Sequence, residues 1–480
     1  MTMKREKLAN RWGTLAAGLL VFATGCTVGP NYEKPDIPVP GAWQEAQQGG
    51  LDSRSSDLTR WWSAFNDPLL DSMVERAVRS NLDLRVAEAR IREARAARAV
   101  TAAGAWPTID TSASYARNRT SANAFAVSAP SAAGNLEHDL YKTGFDASWE
   151  IDVFGGVRRS VEAADANIDV SIENRRATLV TLLGDVAKNY IDLRGFQRRL
   201  EVARANLKAQ QETLEINRVR FDAGLASDLD VAQAETLVNA TAAQLPPLES
   251  SLKQSAYSLD VLLGLEPGAL WGELSNDAPI PKLPPEVLVG LPSELLRRRP
   301  DIRRAERQLA AATAEVGVAT ADLFPKFSLT GVFNLQSVSA SDWFTGRSRF
   351  YNVGPTIRWP LFDAGRIRAN IEVRNAQQEQ ALRQYEKAIL TGLEDVEKAL
   401  VSYVNEQTRN RSLIEAVAAN VRAVQMVNEL YNRGLVDFLN VLITQRSLYA
   451  TESDLAESNA LMASNLVVLY KALGGGWDIP

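Results

Sequence analysis

The chain has 480 residues, with 53 basic and 58 acidic side chains, a net charge of −5, one cysteine and one histidine. That balance carries no electrostatic footprint for a nucleic-acid partner, and one cysteine with one histidine (His138) excludes both an internal disulfide and a four-ligand zinc site. There is no GxSxG, HExxH or P-loop motif, which disfavours an enzyme.

At the amino terminus, residues 1–11 carry Lys4, Arg5, Lys7 and Arg11 against Glu6, and "WGTLAAGLLVFATG" (12–25) is an uncharged run of 14. A basic stretch followed by an apolar run too short to span a membrane has the form of an export signal. Ala23, Thr24 and Gly25 lead into Cys26, so the segment resembles a bacterial lipoprotein signal. The resemblance implies cleavage before Cys26, leaving about 455 residues, and a covalent lipid on its sulfur and new amino terminus. At ~0.8 kcal/mol per buried CH2, two or more acyl chains make a stable anchor. Thr27 stands where an Asp would retain such a protein at the inner membrane, which leaves the outer membrane open as destination. A plain signal peptide with an incidental cysteine is the competing reading. Past the signal no stretch reaches the ~18 apolar residues of a spanning helix, so a membrane crossing would have to be a β-barrel.

The rest of the chain is written twice. "NLDLRVAEARIREARAARAVTAAGAWP" (81–107) matches "RPDIRRAERQLAAATAEVGVATADLFP" (299–325) at a shift of 218. "LVTLLGDVAKNYIDL" (179–193) matches "ILTGLEDVEKALVSY" (389–403), and "RFDAGLASDLDV" (220–231) matches "LYNRGLVDFLNV" (430–441), both at a shift of 210. These matches divide the chain into a signal (1–25), an extended belt (26–66), a first repeat (67–265), a proline-rich linker (266–300), a second repeat (301–474) and a tail (475–480). Each repeat reads helix, two strands, long helix, turn, helix: mainly α with a small β part.

The strands show period-two alternation. In 141–153, Tyr141, Phe145, Trp149 and Ile151 lie on one face, and Lys142, Asp146, Glu150 and Asp152 on the other. Residues 351–361 repeat the pattern, and 109–115 and 327–336 are their weaker hairpin partners, with His138 in the longer first hairpin loop. The hairpins are expected at about 107–154 and 325–362. One apolar and one charged face fits a half-buried sheet or a membrane barrel. Strand length, terminal aromatics and the export signal favour the barrel. Four strands cannot close one, since known membrane barrels start at about eight, so several chains must share it, and three would supply twelve strands.

Between Val157 and Ala223, and again between Ile367 and Arg433, there is no proline, which predicts helices of 67 residues, roughly 100 Å each. Leu179, Leu183, Val186, Tyr190 and Leu193, and Ile389, Leu393, Val396, Leu400 and Tyr403, keep a coiled-coil-like spacing. An ordinary helical bundle has the same period. The shorter helices expected at 81–104 and 228–264, and at 301–322 and 438–473, would stack end to end to the same height, with a kink at Pro246-Pro247. The triple arginine at 297–299 reads as a solvated or interhelical patch.

"CTVGPNYEKPDIPVPGAW", "WWSAFNDPLLDSMV", "LPSELLRRRPDIRRAE", "PLFDAGRIRANI" and "LYKALGGGW" together resemble the TolC-like outer-membrane factors, most of all the lipoprotein branch paired with resistance-nodulation-division pumps. The resemblance implies a homotrimer, with a twelve-strand barrel in the outer membrane lipid and a twelve-helix tunnel across the periplasm. It also implies docking to a periplasmic adaptor (membrane fusion) protein and an inner-membrane pump, the chain itself being a passive duct for drugs or other small molecules. Ducts for protein secretion or metal-ion efflux share that architecture and remain alternatives.

The two turns between long and return helices would form the periplasmic tip. Gly224 and Gly434 stand where a left-handed residue ends a helix, and Ser227, Asp228 and Asp437 are possible N-caps. By the resemblance, Asp230 or Asp437, with Asp228 nearby, would form a ring of three carboxylates at a gate. Asn440 and Ile443 stand where some relatives carry further acids. Gly224, Leu225, Gly434, Leu435 and Val436 are the candidate adaptor contacts.

Overall fold

The computed structural model describes residues 27–45, 51–52, 54, 57–119, 121, 137–284 and 286–478; Cys26 and the signal segment lie outside them. In chain order they form β1 (Leu51–Asp52), α1 (Pro68–Ser80), α2 (Leu82–Ala103), β2 (Thr108–Arg119), β3 (Glu137–Ile151) and α3 (Gly156–Asp222). Then come α4 (Asp228–Ala242), α5 (Leu245–Leu262), α6 (Trp271–Leu274), β4 (Val287–Leu288), α7 (Pro292–Arg298) and α8 (Pro300–Ala321). The chain closes with β5 (Lys326–Ser337), β6 (Arg349–Arg358), α9 (Arg366–Asn432) and α10 (Phe438–Ala472). Both long helices, α3 and α9, have the 67 residues expected from the absence of proline. No helix among the described residues is long and apolar enough to cross a membrane.

The chain divides into two compact units, each drawing on both repeats. The first holds the described residues up to Pro35 together with Ile91–Val170 and Glu306–Gln384. Its sheet is antiparallel with strand order β2-β3-β5-β6, so β2 and β6 are the edges. Register aligns the alternation across all four strands. Thr111, Phe145, Phe333 and Tyr351 form one row, and Asp110, Asp146, Val332 and Asn352 the next. One face is therefore apolar, yet Phe145, Phe333, Tyr351 and Val353 are exposed on it. His138, expected in the hairpin loop, lies within β3 opposite Asn118, because β3 begins four residues before the alternation becomes legible at Tyr141.

The second unit comprises Asp36–Arg90, Ser171–Ala305 and Tyr385–Pro480. Its core includes the two predicted seams: Leu179, Leu183, Val186, Tyr190 and Leu193 are buried, as are Ile389, Val396, Leu400 and Tyr403, with Leu393 half-buried. Gly195 lets helices meet closely, since a Cβ there would stand 2.7 Å from the Ala460 Cβ. The segment 266–300 is more structured than a linker: it contains α6, α7 and β4, and β4 pairs in parallel with β1. Pro246-Pro247 splits the expected return helix into α4 and α5, because the prolines stand at the start of α5, where a missing N–H is harmless.

The short helices are joined end to end by one residue position used twice. At the first junction Asn81 accepts a bond from the Leu84 N–H at 3.0 Å and donates its own amide to the carbonyl of Leu262, the last residue of α5, at 2.9 Å. It thus serves the orphan donors of α2 and the orphan acceptors of α5 together. Arg299 stands 218 residues later. Its guanidinium donates to the carbonyl of Ala472, the last residue of α10, at 3.0 Å, and pairs with Asp301 at 2.7 Å and Asp395 at 2.9 Å. The triple arginine is thus interhelical at Arg299. Gly264 and Gly474, 210 apart, turn the chain after each helix at φ +69° and +74°. Burial acts to raise the Asp301 carboxyl, but its bonds to Arg299 and nearby N–H groups outweigh this and hold it below its ordinary value.

Removing Arg299 therefore strands two acids and a buried carbonyl. Arg299→Ala is expected to cost about 3 kcal/mol, and Asn81→Ala about 1 kcal/mol, in thermal denaturation of the detergent-solubilised protein. Equal shifts would refute the assignment. Because the folded Asp301 carboxyl is lowered, its contribution persists above the ordinary value of 3.8 and is lost as pH falls below it. The penalty for Arg299→Ala should accordingly shrink in acid.

Candidate functional site

Two places concentrate chemistry that the core does not need: the amino-terminal strap in the first unit and the paired helix turns in the second. The strap follows Cys26. Thr27 packs against Gly155, between β3 and α3, where a Cβ would come within 2.5 Å of the Thr27 Cγ2. The Val28 N–H donates to the Phe154 carbonyl at 3.2 Å. Arg159, its side chain 4% exposed, donates to the carbonyls of Val28 and Gly29 and to Asn31 Oδ1 at 3.1, 3.2 and 2.8 Å. Gly29 has φ +85° and lies so near Gly317 that a Cβ would stand 2.5 Å from the Gly317 Cα. Lys34 completes the seat through Glu306 at 2.9 Å. Thr27, next to the candidate acylation site, is thus held at the end of the sheet.

The sheet carries aromatic residues toward both ends. Trp149 and Trp359, 210 residues apart, each donate an indole N–H to a backbone carbonyl, of Ala105 at 2.9 Å and Leu323 at 3.0 Å. Toward the other end Tyr115, Tyr141, Trp343 and Phe344 form a chain of rings with centroids 5.0, 5.3 and 4.8 Å apart. Along β3 the distance from Tyr141 to Trp149 is about 26 Å at the usual rise per residue. Two aromatic girdles around an exposed apolar band are the signature of a membrane strand.

The turns end both long helices in the same way. Gly224 (φ +71°) and Gly434 (φ +73°) adopt the left-handed conformation with open space around them, so backbone geometry rather than crowding selects glycine. Leu225 N–H donates to Arg220 O at 2.8 Å and Gly224 N–H to Phe221 O at 2.9 Å, and the Leu435 and Gly434 amides repeat the pattern with Leu430 and Tyr431. The return helices start differently. Ser227 is the N-cap of α4 in a reciprocal capping box: its hydroxyl accepts from the Asp230 N–H at 3.2 Å, and the Asp230 carboxylate accepts from the Ser227 N–H at 2.9 Å. Asp228 is the first residue of α4 rather than its cap, exposed in the turn where acids complement the helix dipole. Asp437 occupies the N-cap of α10 but makes no capping bond with its side chain. Of the three acids, Asp230 is committed to the cap, whereas Asp228 and Asp437 stand exposed.

Leu225 is 69% and Leu435 65% exposed at the turns, while Val436 packs against the cluster beneath them. That cluster, Leu214, Ala234, Val427, Tyr431, Phe438 and Val441, joins the α3–α4 hairpin to the α9–α10 hairpin. Sequence reasoning missed its polar centre. The Tyr431 hydroxyl donates to Asn217 Oδ1 at 2.6 Å, and the Arg220 guanidinium lies 4.4 Å from the Tyr431 ring centroid. Burial pushes the Tyr431 phenol above its ordinary value, with the nearby Asp230 charge adding to that and Arg220 opposing it. The available signal was Asn217, a polar residue three places beyond Leu214 on the buried side of α3.

Known proteins resemble the chain over nearly all of it. The family model described as outer membrane efflux protein matches residues 73–265 and 291–475. Nodulation protein T of Rhizobium leguminosarum bv. trifolii is 34% identical over 470 residues, covering 95% of this chain and 96% of that protein. The pyoverdine export outer membrane protein OpmQ of Pseudomonas aeruginosa is 34% identical over 479 residues, covering 100% and 98% respectively. The solved structure of the outer-membrane channel OprN superposes with a TM-score of 0.87 at 35% identity, covering 94% of this chain and 100% of that one.

The unequal caps make a discriminating test. Ser227→Ala removes a capping box and is expected to cost about 1 kcal/mol, accelerating hydrogen exchange in the first turn of α4. Asp437→Ala removes no capping bond and should leave exchange at the start of α10 within ~0.5 kcal/mol of the parent. The reverse ranking would show the cap assignment to be wrong.

Proposed function

The chain belongs to the outer membrane efflux protein family and is an outer membrane efflux channel; from that premise we propose that it is the exit duct of a tripartite system, assembled from three copies. The observation that carries the reading is the four-stranded sheet with an exposed apolar face and two open edges, β2 and β6. Backbone groups on an edge find no partner in hydrocarbon, and known membrane barrels start at about eight strands. Three copies joined edge to edge would close a twelve-strand barrel whose charged face, with Asp110, Lys142, Asp146 and Glu150, lines the water-filled side.

Cys26 is the proposed lipid anchor of this lipoprotein-branch channel. The seat that Arg159 and Glu306 make for residues 28–34 supports it, because it holds the chain after the cysteine against the end of the sheet near the Trp149 and Trp359 girdle. Acyl chains on Cys26 would then reach the lipid around that girdle. The exposed Leu225 and Leu435 suit an apolar contact with a periplasmic adaptor protein, and a resistance-nodulation-division pump in the inner membrane would supply the energy. The similarity to a pyoverdine exporter supports small organic molecules as cargo.

At the turns, Asp437 of three protomers would place three carboxylates around one axis, a gate attracting cations while holding the passage narrow. Asp230 is the weaker gate residue, since its carboxylate already serves Ser227.

Deleting the gene should raise intracellular retention of a fluorescent dye in a strain lacking redundant ducts; unchanged retention would argue against small-molecule efflux. Asp437→Ala should raise single-channel conductance in planar bilayers more than Asp230→Ala does, and no change from either would remove both from the gate. Intact-mass spectrometry of the membrane-extracted protein should show an acylated amino terminus, absent in Cys26→Ser.

A further inference from the structure

We propose that Arg347 and Arg349, beside Phe344, bind the phosphate-bearing headgroup of an outer-leaflet lipid; this rests on the reading of the sheet as part of a membrane barrel. Side chains alternate along a strand, so Arg349 lies on the same face of β6 as Tyr351 and Val353. That is the exposed apolar face. Arg349 stands opposite Leu335, and the next rows on this face are Phe333 with Tyr351 and Gly331 with Val353. The connection between β5 and β6 turns onto the same face, since its Trp343 ring lies 5.3 Å from that of Tyr141.

That connection is held in shape by its own hydrogen bonds. The Asp342 carbonyl accepts from the Thr345 N–H at 3.1 Å, the Thr345 hydroxyl at 2.8 Å and the Ser348 hydroxyl at 2.6 Å. Ser348 is buried, with an exposed arginine on either side of it. The Arg349 guanidinium lies along the backbone at Gly346, where a Cβ would stand 3.7 Å from its Nη2. Phe344, 72% exposed, projects from the same connection. Two cations and an apolar ring are thus presented together at the rim of the apolar band.

Neither arginine has a carboxylate partner among the described residues. The acids at this end are engaged elsewhere. Glu137 pairs with Arg117 at 3.2 Å and Arg119 at 3.0 Å, Asp139 accepts from the Tyr115 hydroxyl at 3.0 Å, and Asp342 accepts from Ser341 at 3.3 Å. Residues 120–136, which join β2 to β3, contain no acid. Two guanidiniums this close in the chain favour an anion shared between them, and the guanidinium fork matches phosphate oxygens. A free anion would gain nothing from Phe344 or from the apolar rows beyond Arg349. A lipid engages both, with its phosphate on the arginines and its acyl chains along Tyr351 and Val353. The long helices α3 and α9 follow the opposite ends of β3 and β6, so this end meets the outer leaflet and its phosphorylated glycolipid.

The test is native mass spectrometry of the full-length protein in detergent micelles doped with diphosphorylated lipid A, dephosphorylated lipid A or inorganic phosphate. The parent is expected to retain the diphosphorylated lipid and to bind the dephosphorylated one about tenfold more weakly. Arg347→Gln combined with Arg349→Gln should lose the same factor, whereas Arg117→Gln, whose guanidinium is already paired, should lose far less. Single-channel conductance should stay at the parent value, which shows that the variant assembles. Arg347→Gln alone leaves every strand residue in place and should still lower affinity several-fold. Variants that hold the lipid as well as the parent does, or a parent indifferent to the lipid's phosphates, would overturn the site and leave the barrel reading standing. Displacement of the lipid by an equal concentration of inorganic phosphate would mark a soluble-anion site and overturn it too. A parent that stays monomeric and takes up neither lipid would bring down the site and the barrel together.

Discussion

A strand edge in hydrocarbon leaves its N–H and C=O groups without partners, each at a cost of several kcal/mol, and no side chain can repair that from within the same strand. This chain has a sheet whose face is apolar and open and whose outer strands, β2 and β6, are each paired on one side only among the described residues. Water penalises the face and lipid penalises the edges. Only closure with further strands satisfies both, and the molecule has none to add among its described residues. The aromatic girdles, the seated strap after Cys26 and the trimeric reading all depend on that constraint.

Duplication solved the backbone problem twice and the side-chain problem differently each time. The turn glycines Gly224 and Gly434 and the junction glycines Gly264 and Gly474 repeat one geometry, since a left-handed φ allows few substitutes. The residues around them diverged. A neutral Asn81 joins α5 to α2, whereas a charged Arg299 with two acids joins α10 to α8. Ser227 and Asp230 close a capping box, whereas Asp437 and Asn440, 210 residues further on, do not. The acid freed from capping is the one available for other work. Such differences are what distinguish one hairpin from the other.

The long helices are held by apolar and polar contacts together. Apolar packing around Leu183, Val186 and Leu193 holds by area, without regard to direction. The stretch from Asn206 to Asn217 adds polar links at Asn206, Thr213 and Asn217 beside Leu214, which belongs to the apolar cluster joining the two hairpins.

Much of this was legible beforehand because it depends on local rules. Absent prolines delimit the 67-residue helices, period-two alternation marks the strands, and the shifts of 218 and 210 align the junctions and the turns. Short elements without a period of their own were not legible: α6, α7, β1 and β4 exist through contacts with distant segments, as when Leu51 pairs with Val287. His138 was misplaced because the alternation fades toward the start of β3.

By itself, then, the sequence determined the long helices, the four strands of the larger sheet and the turns. Those features follow from steric and periodic rules acting over a few residues. Which acid caps a helix and which makes no capping bond, and that Arg299 bridges three helices, were decided only by the tertiary structure. Hydrogen bonding at those sites depends on groups far apart in the chain, and no local pattern records where they meet.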